Sequence, residues 1–87
     1  MYVIVVYDVA VERVTKVCQF LRMYLNWIQN SVFEGELTQS QLLEVKNGIR
    51  EIINQDEDTV RFYVLRSKDL VKIDTIGIEK SDTSTII

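Results

Sequence analysis

The chain has 87 residues, with 10 Lys and Arg against 13 Asp and Glu, for a formal net charge of −3. That length makes one domain, 1–87, which buries only roughly 60–65% of its unfolded surface and gains from association; an apolar content of 47% excludes disorder. The absence of histidine excludes Ser-His-Asp triads, Cys-His pairs and most zinc sites, leaving carboxylates, Arg, Lys, Tyr or a metal ion for any catalysis.

The negative balance argues against nucleic-acid binding in bulk and is compatible with a local basic patch. No apolar run approaches the roughly 18 residues a membrane span needs. The N-terminus has neither a basic region before its apolar run nor a small-residue cleavage site after it, so no signal peptide is expected. A single Cys18 cannot form an internal disulfide, which fits a reducing, cytoplasmic setting.

The first element is the apolar run Tyr2-Val3-Ile4-Val5-Val6-Tyr7, which reads as a strand buried on both faces and ends on Asp8. A carboxylate beside such a strand is costly unless it is paired, hydrogen-bonded or on a metal, so Asp8 is the first candidate for chemistry. Position alone also allows Asp8 to cap a helix or close a turn. Val14, Val17, Cys18, Leu21, Tyr24 and Leu25 then fall on one helical stripe, with Arg13, Lys16, Gln19 and Arg22 off it.

Residues 26–37 alternate in the manner of strands. Read as one strand, they give a small sheet with parallel crossovers. Read as a hairpin, they divide at Gln29-Asn30-Ser31 into Asn26–Ile28 and Val32–Leu37. The hairpin is preferred. Thr38 and Gln41 form a capping-box pattern ahead of a second helical stripe through Leu42, Val45, Ile49, Ile52 and Ile53. Gly48 within that stripe costs about 1 kcal/mol against Ala.

Asn54–Asp58 is an acidic turn, and Thr59–Leu65 a further strand. Val71–Ile78 reads as another strand whose apolar phase shifts between Ile73 and Ile76. The expected fold is therefore α+β and ferredoxin-like, βαββαβ with an additional C-terminal strand. Residues 79–87 form a tail, whose Thr83-Ser84-Thr85-Ile86-Ile87 is suited to adding to a sheet edge of a sister subunit or a partner.

Val5-Val6-Tyr7-Asp8-Val9, then Arg13, Lys16 and Val17, then Gln29 through Leu37, Asp58-Thr59-Val60-Arg61-Phe62-Tyr63 and a late Gly77 form an ordered set. At these spacings the chain closely resembles, over nearly its whole length, the small CRISPR-associated adaptation protein of the Cas-two family. The resemblance implies a ferredoxin-like fold, a symmetric homodimer and partnership with the CRISPR integrase in acquiring spacers. It also implies metal-dependent nuclease activity on RNA or double-stranded DNA in some members, with the carboxylate matching Asp8 at the dimer interface.

On that resemblance Asp8 is both the catalytic and the metal-binding candidate, with Mg²⁺ as cofactor. Mg²⁺ commonly takes one or two protein carboxylates plus water and phosphate, and a two-fold axis would supply a second Asp8. Arg13 and Lys16 on the first helix, with Arg61 and Arg66 further on, are candidate phosphate contacts, or ordinary solvated charges. Ser31 and Phe33 match family positions associated with the nuclease site; as residues they read as a turn hydroxyl and a core aromatic. Many relatives carry Arg where this chain has Trp27, and the basic run before the Lys16-Val17 pair is thinned to Arg13. Three functions are then compared: a dimeric scaffold for the integrase on a DNA duplex, a Mg²⁺-dependent endonuclease, and a toxin-type ribonuclease of related fold outside CRISPR. The net charge and the lost Arg favour the scaffold.

Overall fold

β1 (Tyr2–Asp8) runs through the interior of a four-stranded antiparallel sheet in a computed structural model that describes residues 1–80. It is followed by α1 (Val11–Arg22), β2 (Asn26–Gln29), β3 (Val32–Glu36), α2 (Gln39–Ile52) and β4 (Thr59–Leu65), then a short 3₁₀ turn at Lys68–Leu70. The strands lie in the order β2-β3-β1-β4, the ferredoxin-like α+β arrangement that the hairpin reading of residues 26–37 expects. That hairpin reverses at Asn30, whose φ of 41° is the left-handed conformation that Asn tolerates better than most residues.

Strand alternation divides the sheet into two unlike faces. Val3, Val5 and Tyr7 point toward the helices and pack with Phe33, Val17, Leu21, Leu25, Val45 and Ile49 in one buried cluster. The opposite face carries a half-buried Ile4, then Val6 at 37% exposure and an exposed Asp8. Burial of β1 on both faces, as its apolar run suggests, is reached only at its start, where Tyr2 on the second face is also buried; both helices contribute to one core, and toward Val6 and Asp8 the second face has no covering layer among the described residues.

Thr38 and Gln41 form the reciprocal capping box at the start of α2, at 3.1 and 2.9 Å. Gly48, a weak point by propensity, lies against the Phe20 ring where the two helices meet, and no side chain would fit there without displacing that ring. α1 has no such cap of its own; its N-cap is Ala10, which offers no side-chain acceptor.

Val71–Ile78, expected as an additional strand, joins no ladder among the described residues. Its β-forming side chains need a partner strand, and those of Ile73, Ile76 and Ile78 remain exposed. Residues 73–80 approach β2 and β3, sharing a concavity of about 70 Å³ with Ile28, Gln29 and Glu34. The tail expected over 79–87 lies, from residue 81 onward, outside the described residues.

Candidate functional site

Asp8 is the last residue of β1 and is paired across the ladder with Thr59, the first residue of β4. Its carboxylate is exposed on the uncovered face of the sheet and forms no ion pair among the described residues. With Val6, Tyr7, Thr59, Arg61 and Tyr63 it lines a concavity of about 210 Å³. Arg61 stands opposite Val6, and its Nη1 lies 3.5 Å from the Tyr63 hydroxyl. A carboxylate, a guanidinium and a phenol thus share one shallow surface. The neighbouring Tyr7 hydroxyl is turned away into the core, 2.7 Å from the Cys18 Sγ. Burial, then that hydrogen bond, raises its pKa far above the ordinary phenol range, so it is no base for this surface.

The backbone on both sides of this ladder end is held by Asp58, which the sequence offers as the end of an acidic turn and the head of one segment of the resemblance, with no role assigned to its side chain. The Asp58 side chain is fully buried and accepts from the Ala10 N–H at 2.9 Å and the Asn54 N–H at 3.0 Å. It also takes Arg13 Nε at 2.5 Å and Nη2 at 3.1 Å. Arg13 and then those backbone donors hold its pKa well below the ordinary carboxylate range, against the burial that opposes ionisation. Placed at the start of α1, this carboxylate accepts from the N-cap backbone where no local side chain does, and adds its negative charge to that of Glu12 in the first turn.

Arg13, a candidate phosphate contact, is engaged by this arrangement. Its Nη2 also donates to Glu57 at 2.8 Å, and Nη1 lies 3.6 Å from Glu12. Three carboxylates surround it, so it is a structural cation here rather than an open phosphate ligand. Lys16, a residue farther round the same helix, is exposed with no ion pair among the described residues. Arg66 follows β4 at the end of the sheet that holds Tyr2. At about 3.3 Å per residue this separates it from Thr59 by roughly 20 Å, so the fold does not bring it to Asp8.

Ser31 sits in the β2–β3 turn, where its carbonyl accepts the Tyr7 N–H at 3.1 Å, one residue from Asp8. Phe33 is wholly buried and its ring centroid lies 6.2 Å from that of Tyr7. Its place opposite Val5 directs it to the helix side of the sheet, away from the Asp8 surface. It therefore supports the strand from beneath and cannot touch a ligand on the open face. The role of Asp58 in holding this backbone is what the sequence does not reveal: its partners Ala10 and Arg13 lie more than 40 residues away, and no local spacing links them to it.

The model of the CRISPR associated protein Cas2 family matches residues 1–73. The chain belongs to the Cas2 family. A Cas2 relative from Archaeoglobus fulgidus, named CRISPR-associated endoribonuclease Cas2 2, is 63% identical over 79 residues, covering 91% of this chain and 86% of its own length. The CRISPR-associated endoribonuclease Cas2 of Methanosarcina acetivorans is 52% identical across the whole of both chains. A crystal structure of Cas2 superposes with a TM-score of 0.85 at 47% identity, covering all of this chain and 98% of its own.

The residues present can be tested against the divalent ion that a Cas2 nuclease reading implies. Among the described residues no three His, Cys, Asp or Glu side chains gather as a ligand set. Zinc, which wants four nitrogen or sulfur ligands in its structural sites, does not fit. Mg²⁺ fits better, because one exposed carboxylate with solvent and phosphate around it is the donor set that ion accepts. Asp8 meets that description once per Cas2 chain.

Proposed function

We propose that this Cas2 chain works as a homodimer that scaffolds the CRISPR integrase during spacer acquisition, with Mg²⁺-dependent phosphodiester cleavage as a separable activity of the same surface. The observation that carries this reading is the end of the sheet face around Val6 and Asp8, which is open among the described residues: a second copy there would bury Ile4 and Val6 further and bring a second Asp8 to the first. The outer edge of β4, which pairs with no strand among the described residues, and the exposed Ile73, Ile76 and Ile78 favour association as well.

Within that dimer Asp8 holds the ion, and Arg61 neutralises a phosphate brought to the same concavity. Lys16 adds an outer phosphate contact, and Arg66 a remote one along the nucleic acid. Mg²⁺, when bound, supplies positive charge to the phosphate and acidifies a bound water. With Arg13 engaged by acidic groups and the net charge negative, the chain's own hold on a DNA duplex is weak and the integrase provides most of it.

Asp8→Ala separates the two roles. The variant is expected to fold, to elute at twice the 10.2 kDa of one chain and to sustain spacer acquisition, while Mg²⁺-dependent cleavage of RNA or DNA disappears. Cleavage that survives the substitution removes Asp8 from the chemistry. Acquisition that fails in a folded, dimeric variant contradicts the scaffold role.

A further inference from the structure

Five residues close a small ring around the backbone of Asp8. Asp8 pairs with Thr59, Thr59 is bonded to Asp58, the Asp58 carboxylate accepts from Ala10, and Ala10 returns to Asp8 through Val9. Every link is a covalent bond, a ladder pair or a hydrogen bond near 3 Å. Arg13 fixes the one side chain in the ring through two of its nitrogens, and Asn54 holds it from the α2 side. The chain leaves β1 at Asp8 and must turn within Val9-Ala10 to start α1, so this is where the carboxylate's direction is set. A buried carboxylate with four donors is more than a turn of this size requires. α2 manages its own start with one Thr and one Gln.

We propose that Asp58, clamped by Arg13, is the positioning residue that aims the Asp8 carboxylate. This rests on the reading of Asp8 as the metal-holding group and extends it to the residues that orient it. Asp58 touches neither ion nor substrate; it acts by fixing the arc through Ala10. Outer partners of metal ligands typically change affinity by roughly tenfold to a hundredfold when lost.

The test uses the full chain with Mn²⁺ as the probe, titrated by electron paramagnetic resonance at a temperature where circular dichroism shows every variant folded. Wild type, Asp8→Asn, Asp58→Asn and Arg13→Lys are compared, and amide hydrogen exchange is followed at Val9, Ala10 and the interior of β1. The expected result is loss of Mn²⁺ binding in Asp8→Asn and roughly tenfold or greater weakening in Asp58→Asn. Arg13→Lys, which keeps the charge and loses the fork, falls between, and exchange quickens at Val9 and Ala10 alone. Wild-type affinity in Asp58→Asn and Arg13→Lys, with binding lost in Asp8→Asn, overturns the positioning role and leaves the Asp8 site standing. Undiminished binding in Asp8→Asn overturns the site and the positioning role together. Faster exchange throughout β1 also overturns it, since Asp58 would then be supporting the fold generally. Should Asp58→Asn not fold, wild-type affinity in Arg13→Lys is the overturning result.

Discussion

Gly48→Ala is a substitution for which helix propensity and packing predict opposite signs. Within α2, Ala in place of Gly is favoured by about 1 kcal/mol. A Cβ at position 48, however, would stand only 2.6 Å from Cε1 and 2.9 Å from Cε2 of Phe20, with Cζ closer still. Ordinary contact begins near 3.4 Å, so the ring must retreat by about 1 Å. Phe20 also packs on Tyr24 at 5.4 Å between centroids, which limits where it can go. Overpacking of this kind costs about 1–3 kcal/mol. The net expectation is destabilisation by up to about 2 kcal/mol, with Tm falling by about 4–8 °C per kcal/mol in a domain of this size. Thermal denaturation at one fixed protein concentration measures it, since association would otherwise shift Tm. In a Phe20→Ala background the same Gly48→Ala change should raise stability, because only the propensity term remains. A rise in Tm from Gly48→Ala in the wild-type background would refute the packing argument.

Salt dependence of nucleic-acid binding separates the basic residues. Lys16→Ala and Arg61→Ala should each weaken binding and lower the slope of log affinity against log salt by about one. Arg13→Ala should leave the slope unchanged and lower Tm instead, because its guanidinium is engaged by Asp58 and Glu57; a reduced slope would show that Arg13 reaches phosphate. Acid should act through Asp58, whose folded-state pKa lies below its ordinary value near 3.8. Such a group contributes stability that is full above the unfolded value and is lost as pH falls toward the depressed folded one. Chemical denaturation at a series of pH values should therefore find the gap between wild type and Asp58→Asn constant near neutrality and narrowing below about pH 4. A gap that does not change with pH would contradict the assignment.

Local pattern carried most of the architecture. The apolar run of β1, the Thr38–Gln41 box and the turn at Asn30 each depend on neighbours within a few residues, and the structure has all three. Features that depend on distant partners were not legible in the same way. Asp58 looks like one acid among several in Asn54–Asp58, and only the fold brings Ala10 and Arg13 to it. Gly48 reads as a weak point until Phe20 is placed against it. Arg13 and Lys16 differ little as sequence, yet one is enclosed by carboxylates and the other faces solvent. Val71–Ile78 has the composition of a strand, but strand formation needs an edge to join, and this segment pairs with none among the described residues. Ser31 and Phe33 show the same division: both stand close to Tyr7, and strand alternation alone turns Phe33 into the core.

A crystal structure of the full chain grown with Mn²⁺ tests the central claim most directly. The account predicts two copies joined through their uncovered sheet faces about a two-fold axis, with both Asp8 carboxylates directed at one ion near that axis. A solitary protomer, or a pair whose two Asp8 side chains point to separate surfaces with the ion bound elsewhere, would contradict it.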